Sequence, residues 1–426
     1  MAVDALPAFR AQRLAPEALE ALAAARLTRL LRAAEQTRFY GERLRAAGIE
    51  RGDPLVDRDP ARVLAALAPS DKGELRRAAT HLLAGGRERP EWRSSTSSGS
   101  TGEPFRVFYE PRAWATLKYL IKLRARHACG TRLTDRVAVL DAIPLRPPAR
   151  APMEYTGQFL RVSALQPAPM VADLLAAFRP DTLYGLPSAL AEVAAELRAR
   201  GRRLPVQRVF TGGELLQRSV RDALGSAFQA GVFDVYGTSE TKEIAWECPE
   251  GGMHVNADVV RVEALDDEGR PLPDGVEGEL VATVLVNRAM PLLRYRIGDR
   301  GSLRPQRCSC GRSLPLLGVV TGREADVLVL AGGRRVSPYV LTCALERVAD
   351  VLRYQVTQLD PARLRVRAIL GPGADEGRVA ARVRAALRVE VAPFLEAEVE
   401  FVERLPTGPR AKFRVVQPMS HGRARD

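Results

Sequence analysis

Lysine is almost missing from this chain. Only Lys72, Lys118, Lys122, Lys242 and Lys412 occur, against a Lys plus Arg total of 64, so 59 of the basic residues are arginine. Usage this lopsided, beside abundant alanine, reads as genome composition, and the arginines are scattered among acidic residues. The formal charge of +13 therefore forms no basic stripe of the kind that tracks a nucleic acid, although a polyphosphate substrate would use part of it. Long apolar runs are missing too: nothing approaches the ~18 consecutive apolar residues of a membrane-spanning helix. Met1-Ala2-Val3-Asp4 opens no basic region followed by an apolar core, so a secretory signal is not expected and a cytoplasmic location is. Cysteine is scarce and odd in number, five in the chain, which excludes a disulfide framework.

What is present is ordinary globular material on a large scale. With 426 residues, 46% hydrophobic and 27% charged, the chain is long enough for two or three domains. Apolar positions at helical spacing over 17–47 predict a helical N-terminal region, about 1–90, with further starts at Asp59-Pro60 and at Ser70-Asp71. From 113 onward helices and strands alternate: strands over 136–140, 181–184, 206–211 and 232–236, helices over 113–127, 170–178, 188–200 and 216–228. That rhythm predicts parallel sheets flanked by helices, with ligands at the carboxyl ends of the strands. Residues 256–303 read as strand and turn, a β-rich subdomain. From Asp326 short strands around helices at 338–348 and 375–388 predict a separate small α+β domain.

One stretch stands apart. Ser94-Ser95-Thr96-Ser97-Ser98-Gly99-Ser100-Thr101-Gly102-Glu103-Pro104 packs hydroxyls and glycines with almost no apolar side chain. Gly99 and Gly102 allow successive N–H groups to turn inward, and Ser97, Ser98, Ser100 and Thr101 add donors that can follow phosphate oxygens. A Ser/Gly linker would look similar, but Phe105-Arg106-Val107-Phe108-Tyr109 follows as a strand with no sign of a domain break. No Gly-Lys-Ser/Thr closes the loop, so it is not a Walker motif.

Further stations follow in order. They are Thr37-Arg38-Phe39-Tyr40, Asp71-Lys72-Gly73-Glu74-Leu75-Arg76, Tyr184-Gly185-Leu186-Pro187-Ser188, Gly212-Gly213-Glu214, Tyr236-Gly237-Thr238-Ser239-Glu240, Arg294-Tyr295-Arg296-Ile297-Gly298-Asp299, Gly322-Arg323 and a C-terminal Lys412. Together with the Ser/Gly loop, over nearly the whole chain, they resemble the adenylate-forming superfamily, most closely its phenylacetate-CoA ligase branch. The resemblance implies an α/β enzyme with a large N-terminal adenylation domain, 1–324, and a small mobile C-terminal lid, 325–426. It implies ATP-dependent activation of a carboxylic acid to an acyl-adenylate, release of pyrophosphate, and transfer of the acyl group to a thiol, coenzyme A. Transfer to an amine or a carrier protein is the alternative acceptor chemistry, and a nucleotide-binding homologue without activity is the alternative of another class. Homodimerisation stays open.

The resemblance also distributes roles. The loop residues Ser97 to Gly102 would hold the ATP phosphates, Thr238 the α-phosphate and Glu240 Mg²⁺, a hard cation suited to a carboxylate. Gly212-Gly213-Glu214 would lie beside the adenine, with Tyr236 and Gly237 close by; a structural turn is an equal reading of the glycines. Asp299 would accept both ribose hydroxyls, and Arg323 would assist there unless it is a surface ion pair. Lys412, the last of five lysines, would contact the carboxylate and α-phosphate with a compact ammonium. Two positions depart from the pattern: Glu103 stands where the family's loop carries a lysine, and Ala325 replaces the hinge acid, with Asp326 next.

The cysteines add a separate signal. Cys248 and His254 flank one Pro/Gly turn, and Cys308-Ser309-Cys310-Gly311 forms another. Three thiolates and one imidazole make the ligand set of a closed structural zinc site, with reduced cysteines on turns as the alternative. Cys129 and Cys343 sit in helical contexts and read as core. Acyl specificity is not legible. The stretch after 136–140 that would build the pocket is short and basic, and Tyr155, Phe159, Tyr184 and Leu186 read equally well as pocket or core.

Overall fold

The protein is described from a computed structural model, over residues 2–97, 105–141, 153–155, 157–164, 166–318, 320, 322–323, 328–333, 335–336, 341, 344–345, 347–406 and 413–419. It is mixed α/β, with sheets flanked by helices. The chain divides into two compact units, one of residues 1–130 and 235–320, the other of residues 131–234 and 321–426.

The first unit begins with helices Pro16–Ala34 and Arg38–Ala46, which bury Leu27, Leu30, Leu31, Tyr40 and Leu44. Thr37 separates them because its hydroxyl accepts from the Tyr40 N–H as an N-cap. Asp59 and Asp71 start the next helices in the same way, accepting from the N–H groups of Arg62 and Glu74. The Ser/Gly stretch forms a hairpin: Arg93–Ser97 pairs antiparallel with Phe105–Tyr109, Ser97 opposite Phe105. Its second strand buries Phe105, Val107, Phe108 and Tyr109 in the same core as the N-terminal helices. Helical residues 111–128 follow, with a π turn at Thr116–Leu120. Antiparallel strands complete the unit. Lys242–Glu247 pairs with Met253–Val255, which pairs with Leu316–Leu317. Separately Val260–Leu265, Gly278–Val284 and Tyr295–Gly301 form consecutive antiparallel neighbours.

The second unit contains the predicted parallel rhythm. Phe159–Ser163, Val137–Asp141, Thr182–Gly185 and Arg208–Gly212 are parallel neighbours in that order. Helices Ala168–Phe178, Pro187–Ala199 and Arg218–Phe228 pack Leu175, Phe178, Leu190, Val193, Leu224 and Phe228 with these strands. An edge strand, Met153–Tyr155, runs antiparallel. Residues 328–416 have a core of their own. Val351–Gln358 and Arg363–Leu370 form a hairpin, Glu396–Phe401 and Val416–Gln417 add parallel edges, and helix Glu376–Glu390 covers it with Val379, Val383 and Leu387. Strand Gly231–Thr238 carries the division between the units within it.

Candidate functional site

Three of the expected stations are seen in the first unit. Strand Gly231–Thr238 turns sharply into Lys242–Glu247. Gly237 is required there, since a Cβ at that position would lie 2.1 Å from the Lys242 carbonyl oxygen. The Thr238 hydroxyl accepts from the N–H groups of Glu240 (3.2 Å) and Thr241 (3.1 Å), which fixes the turn. Glu240 is 4% exposed, and its Oε1 lies 3.0 Å from the Lys72 ammonium. Burial opposes its ionisation, but Lys72 and the hydrogen bonds of the turn outweigh burial, so its carboxyl lies below the ordinary carboxylate value. The Tyr109 hydroxyl donates to the Glu240 carbonyl at 2.6 Å, and Ser95 of the hairpin reaches the Ser239 carbonyl at 3.2 Å. The hairpin is thereby fastened to the Thr238 turn, which puts Ser97, at the hairpin's end, on the same construction. Ser97 is described only in its backbone, and Ser98, Gly99, Ser100, Thr101, Gly102 and Glu103 lie outside the described residues.

Asp299 follows Gly298, whose φ of +85° only glycine adopts readily. Its carboxylate accepts from the Tyr236 hydroxyl at 2.7 Å, so two residues expected at the nucleotide are held together. In the same motif Arg294 serves the fold: it is buried and donates to the carbonyls of Leu67 and Gly269.

In the second unit the carboxyl ends of Thr182–Gly185 and Arg208–Gly212 lie side by side. Gly213 has a φ of +85°, and a Cβ there would come within 3.3 Å of Leu186. Glu214 faces helix Pro187–Ala199, whose first residues have no side-chain cap of their own. Its carboxylate accepts from the Ser188 N–H and hydroxyl, both at 2.9 Å, and from the Phe413 N–H at 2.7 Å. Burial raises its pKa, against those hydrogen bonds and the charge of Arg353. Arg353 in turn stacks on Phe413, 5.4 Å from the ring centroid. Glu214 therefore caps one helix and ties down the segment that begins one residue after Lys412, a role with no signal in the sequence. Lys412 lies outside the described residues, as do Ala325, Asp326 and Cys343; Arg323 is seen in the strand Gly322–Arg323 by its backbone alone. A cavity of about 500 Å³ in this unit, bordered by Asp173, Arg179 and Arg202, also touches Asp181 at the amino-terminal ends of the strands, away from Gly185 and Gly212.

The two cysteine turns come together as expected. Cys248, His254, Cys308 and Cys310 place one ligand atom each within 4.8 Å of one another. The Cys248 and Cys308 sulfurs are 3.6 Å apart, and His254 Nε2 is 3.1 Å from Cys310 Sγ. Thiolates at tetrahedral corners around zinc stand about 3.8 Å apart, so the spacing fits. His254 Nδ1 sits 3.3 Å from the Leu314 carbonyl, which fixes the tautomer that leaves Nε2 free to ligate. Gly252 makes room, because a Cβ there would lie 2.7 Å from Cys308 Sγ. Cys129 is buried apart from the cluster, with its sulfur 3.4 Å from the Glu247 carbonyl.

Sequence reasoning missed how the lysines gather. Besides Lys72 on Glu240, the Lys122 ammonium lies 3.4 Å from Glu243. Lys118 and Lys242 both stand over the Trp114 ring, 4.5 and 5.4 Å from its centroid. Burial, reinforced by Lys118 and opposed by Glu240, brings the Lys242 ammonium down to about 8. The signal was available in composition, since these are four of only five lysines; only the fold shows that they share a site. Arg124, fully buried on Asp258 at 2.9 Å and on the Ala8 carbonyl, was missed as well.

Residues 96–283 match the family of AMP-binding enzymes. The phenylacetate-coenzyme A ligase of Thermus thermophilus is 33% identical over 207 residues, 45% of this chain and 46% of the relative. That of Aromatoleum evansii is 31% identical over 255 residues, 56% of each. The chain thus spans about half the length of the curated relatives it matches. Among solved structures, 2-hydroxyisobutyryl-CoA ligase in its postadenylation state with 2-HIB-AMP superposes with a TM-score of 0.80 at 19% identity, over 96% of this chain and 92% of that one. That likeness carries the fold.

Proposed function

The chain belongs to the adenylate-forming superfamily, in its phenylacetate-CoA ligase-like branch, and on that premise we propose that it activates a carboxylic acid with ATP and transfers the acyl group to coenzyme A. In the first step a carboxylate oxygen bonds to the α-phosphorus while the bond to the β-phosphate breaks, and pyrophosphate leaves. In the second the thiol sulfur of coenzyme A bonds to the acyl carbon and AMP leaves.

The observation that carries this reading is the Thr238 to Glu240 turn, where a buried carboxylate is kept ionised beside an ammonium 3.0 Å away. Bringing a carboxylate against a triphosphate joins two anions, so such a site must hold cations in fixed positions. Glu240 would hold Mg²⁺ in place of its contact with Lys72, and the metal would neutralise charge on the phosphate oxygens. The Thr238 turn would present the α-phosphate, the hairpin loop the β- and γ-phosphates, and Asp299 with Tyr236 the ribose. Residues 325–426 would act as the lid that carries Lys412, with Glu214 holding the neighbouring Phe413 while adenylation proceeds. Cys248, His254, Cys308 and Cys310 would hold a structural zinc. All four positions are taken by protein, which leaves none for a substrate.

The test is acid-dependent exchange of labelled pyrophosphate into ATP across a panel of aryl, alkyl and hydroxy acids, then thioester formation on adding coenzyme A. Exchange with at least one acid is expected. Its absence across the panel would overturn the adenylation reading; exchange without thioester would reassign the acceptor to an amine or a carrier protein.

A further inference from the structure

The inference rests on the adenylation reading and concerns which acid is activated. Charges around the Thr238 turn do not balance among the described residues. Lys72 pairs with Glu240 and Lys122 with Glu243, which leaves Lys118 and Lys242 with no ion-pair partner. Lys118 meets only the rings of Trp114 and Tyr119, and the Lys242 ammonium donates to the Ser239 carbonyl at 2.6 Å and stands 5.0 Å from the Tyr109 ring. Two like charges thus flank one indole, and Tyr119, 48% exposed, leaves the approach open.

Two further facts say that these ammoniums are kept for a purpose. This chain uses arginine at 59 of its basic positions, so a structural charge would be expected as arginine. A compact, mobile ammonium is the group that differs. Lys242 also has a φ of +65°, in the left-handed region where glycine is at ease and a side chain costs backbone energy. A lysine held there at that cost has a task.

The anion can be placed. In Phe105–Tyr109 the phosphate loop ends at Phe105, while Lys242 stands over Tyr109, about 13 Å further along an extended strand. The cluster is therefore remote from the loop that would hold the β- and γ-phosphates, yet Lys242 lies four residues past Thr238, beside the reacting carboxyl. We propose that Lys118 and Lys242 bind a second negative charge on the acid, at the end away from the carboxyl that is activated, so that the substrate class is dicarboxylic acids.

Tryptophan fluorescence of the intact chain, without ATP, reads the site directly. Glutarate, adipate and terephthalate would be titrated against their single-charge counterparts valerate, hexanoate and 4-methylbenzoate. At least one diacid is expected to bind about tenfold tighter than its match. Lys118→Gln and Lys242→Gln should each erase that preference, and Lys118→Arg should not restore it; Trp114→Phe should remove the signal. Equal binding of every matched pair would overturn the proposal, and so would displacement of the diacid by inorganic pyrophosphate, which would make the cluster a phosphate site. Pyrophosphate exchange separates the two layers. Exchange supported equally by diacid and monoacid sinks the charge site alone, whereas diacid binding with no exchange from any acid sinks the adenylation reading.

Discussion

Glu214 shows how one side chain can serve two elements. It was expected beside a nucleotide base, and its oxygens are instead shared between the start of helix Pro187–Ala199 and the backbone of Phe413. Its pKa is raised by burial, so the sign of its pH effect follows. The stability it contributes is complete below its ordinary value of 4.5 and is lost as pH rises through the raised one. Glu214→Gln, which has one acceptor oxygen where the carboxylate has two, should lower stability by about 1–2 kcal/mol at pH 4. The gap between parent and variant should narrow toward pH 7, as denaturant unfolding at a series of pH values would show; a gap that widens with pH would contradict the assignment. Lys72 and Glu240 illustrate the complementary case, a buried carboxylate kept charged because its partner is close.

Among the elements, the paired cysteine turns are the most sharply specified. Met253–Val255 and Leu316–Leu317 are antiparallel neighbours, with His254 opposite Leu316, and this pairing carries one turn to the other across some sixty residues of chain. Each turn alone is a pair of potential ligands on a loop; the strand pairing makes them four at one point. Cys308→Ser should remove stoichiometric zinc in metal analysis of the purified protein and lower the melting temperature by roughly 5–10 °C, because a structural metal contributes directly to folding. Unchanged metal content and stability would leave the cluster as reduced thiols. The phosphate hairpin behaves similarly. Its composition announces a loop, and its place is set by Ser95 and Tyr109 fastening it to the carbonyls of Ser239 and Glu240.

On the scale of the whole molecule, the proposed function requires one chain to run two reactions in succession. Lys412 would serve only the first, so its loss should divide them. Lys412→Ala is expected to slow acid-dependent pyrophosphate exchange by about a hundredfold or more. The same variant should convert a chemically supplied acyl-adenylate and coenzyme A to thioester at close to the parental rate. Equal loss of both half-reactions would contradict a lysine that leaves the site after adenylation. A separate core in residues 328–416 is what a moving lid needs, since a segment that changes partners has to keep its own structure intact.

Much of this protein was legible in its residue order. Helical periodicity, the N-caps at Thr37, Asp59 and Asp71, and the strand and helix alternation from 136 to 236 are local signals, decided by neighbours within a few residues, and the structure follows them closely. The four zinc-type ligands were legible for the same reason, because turns with Pro and Gly declare themselves. What only tertiary structure decided is which distant groups share a charge environment. Lys72, Lys118, Lys122 and Lys242 come from three separate stretches of chain, and Glu214 meets Phe413 across 199 residues. Ion pairs and hydrogen bonds depend on separations of a few ångströms, a length along which sequence distance carries no information, so the lysine pair over Trp114 had to be seen in the fold.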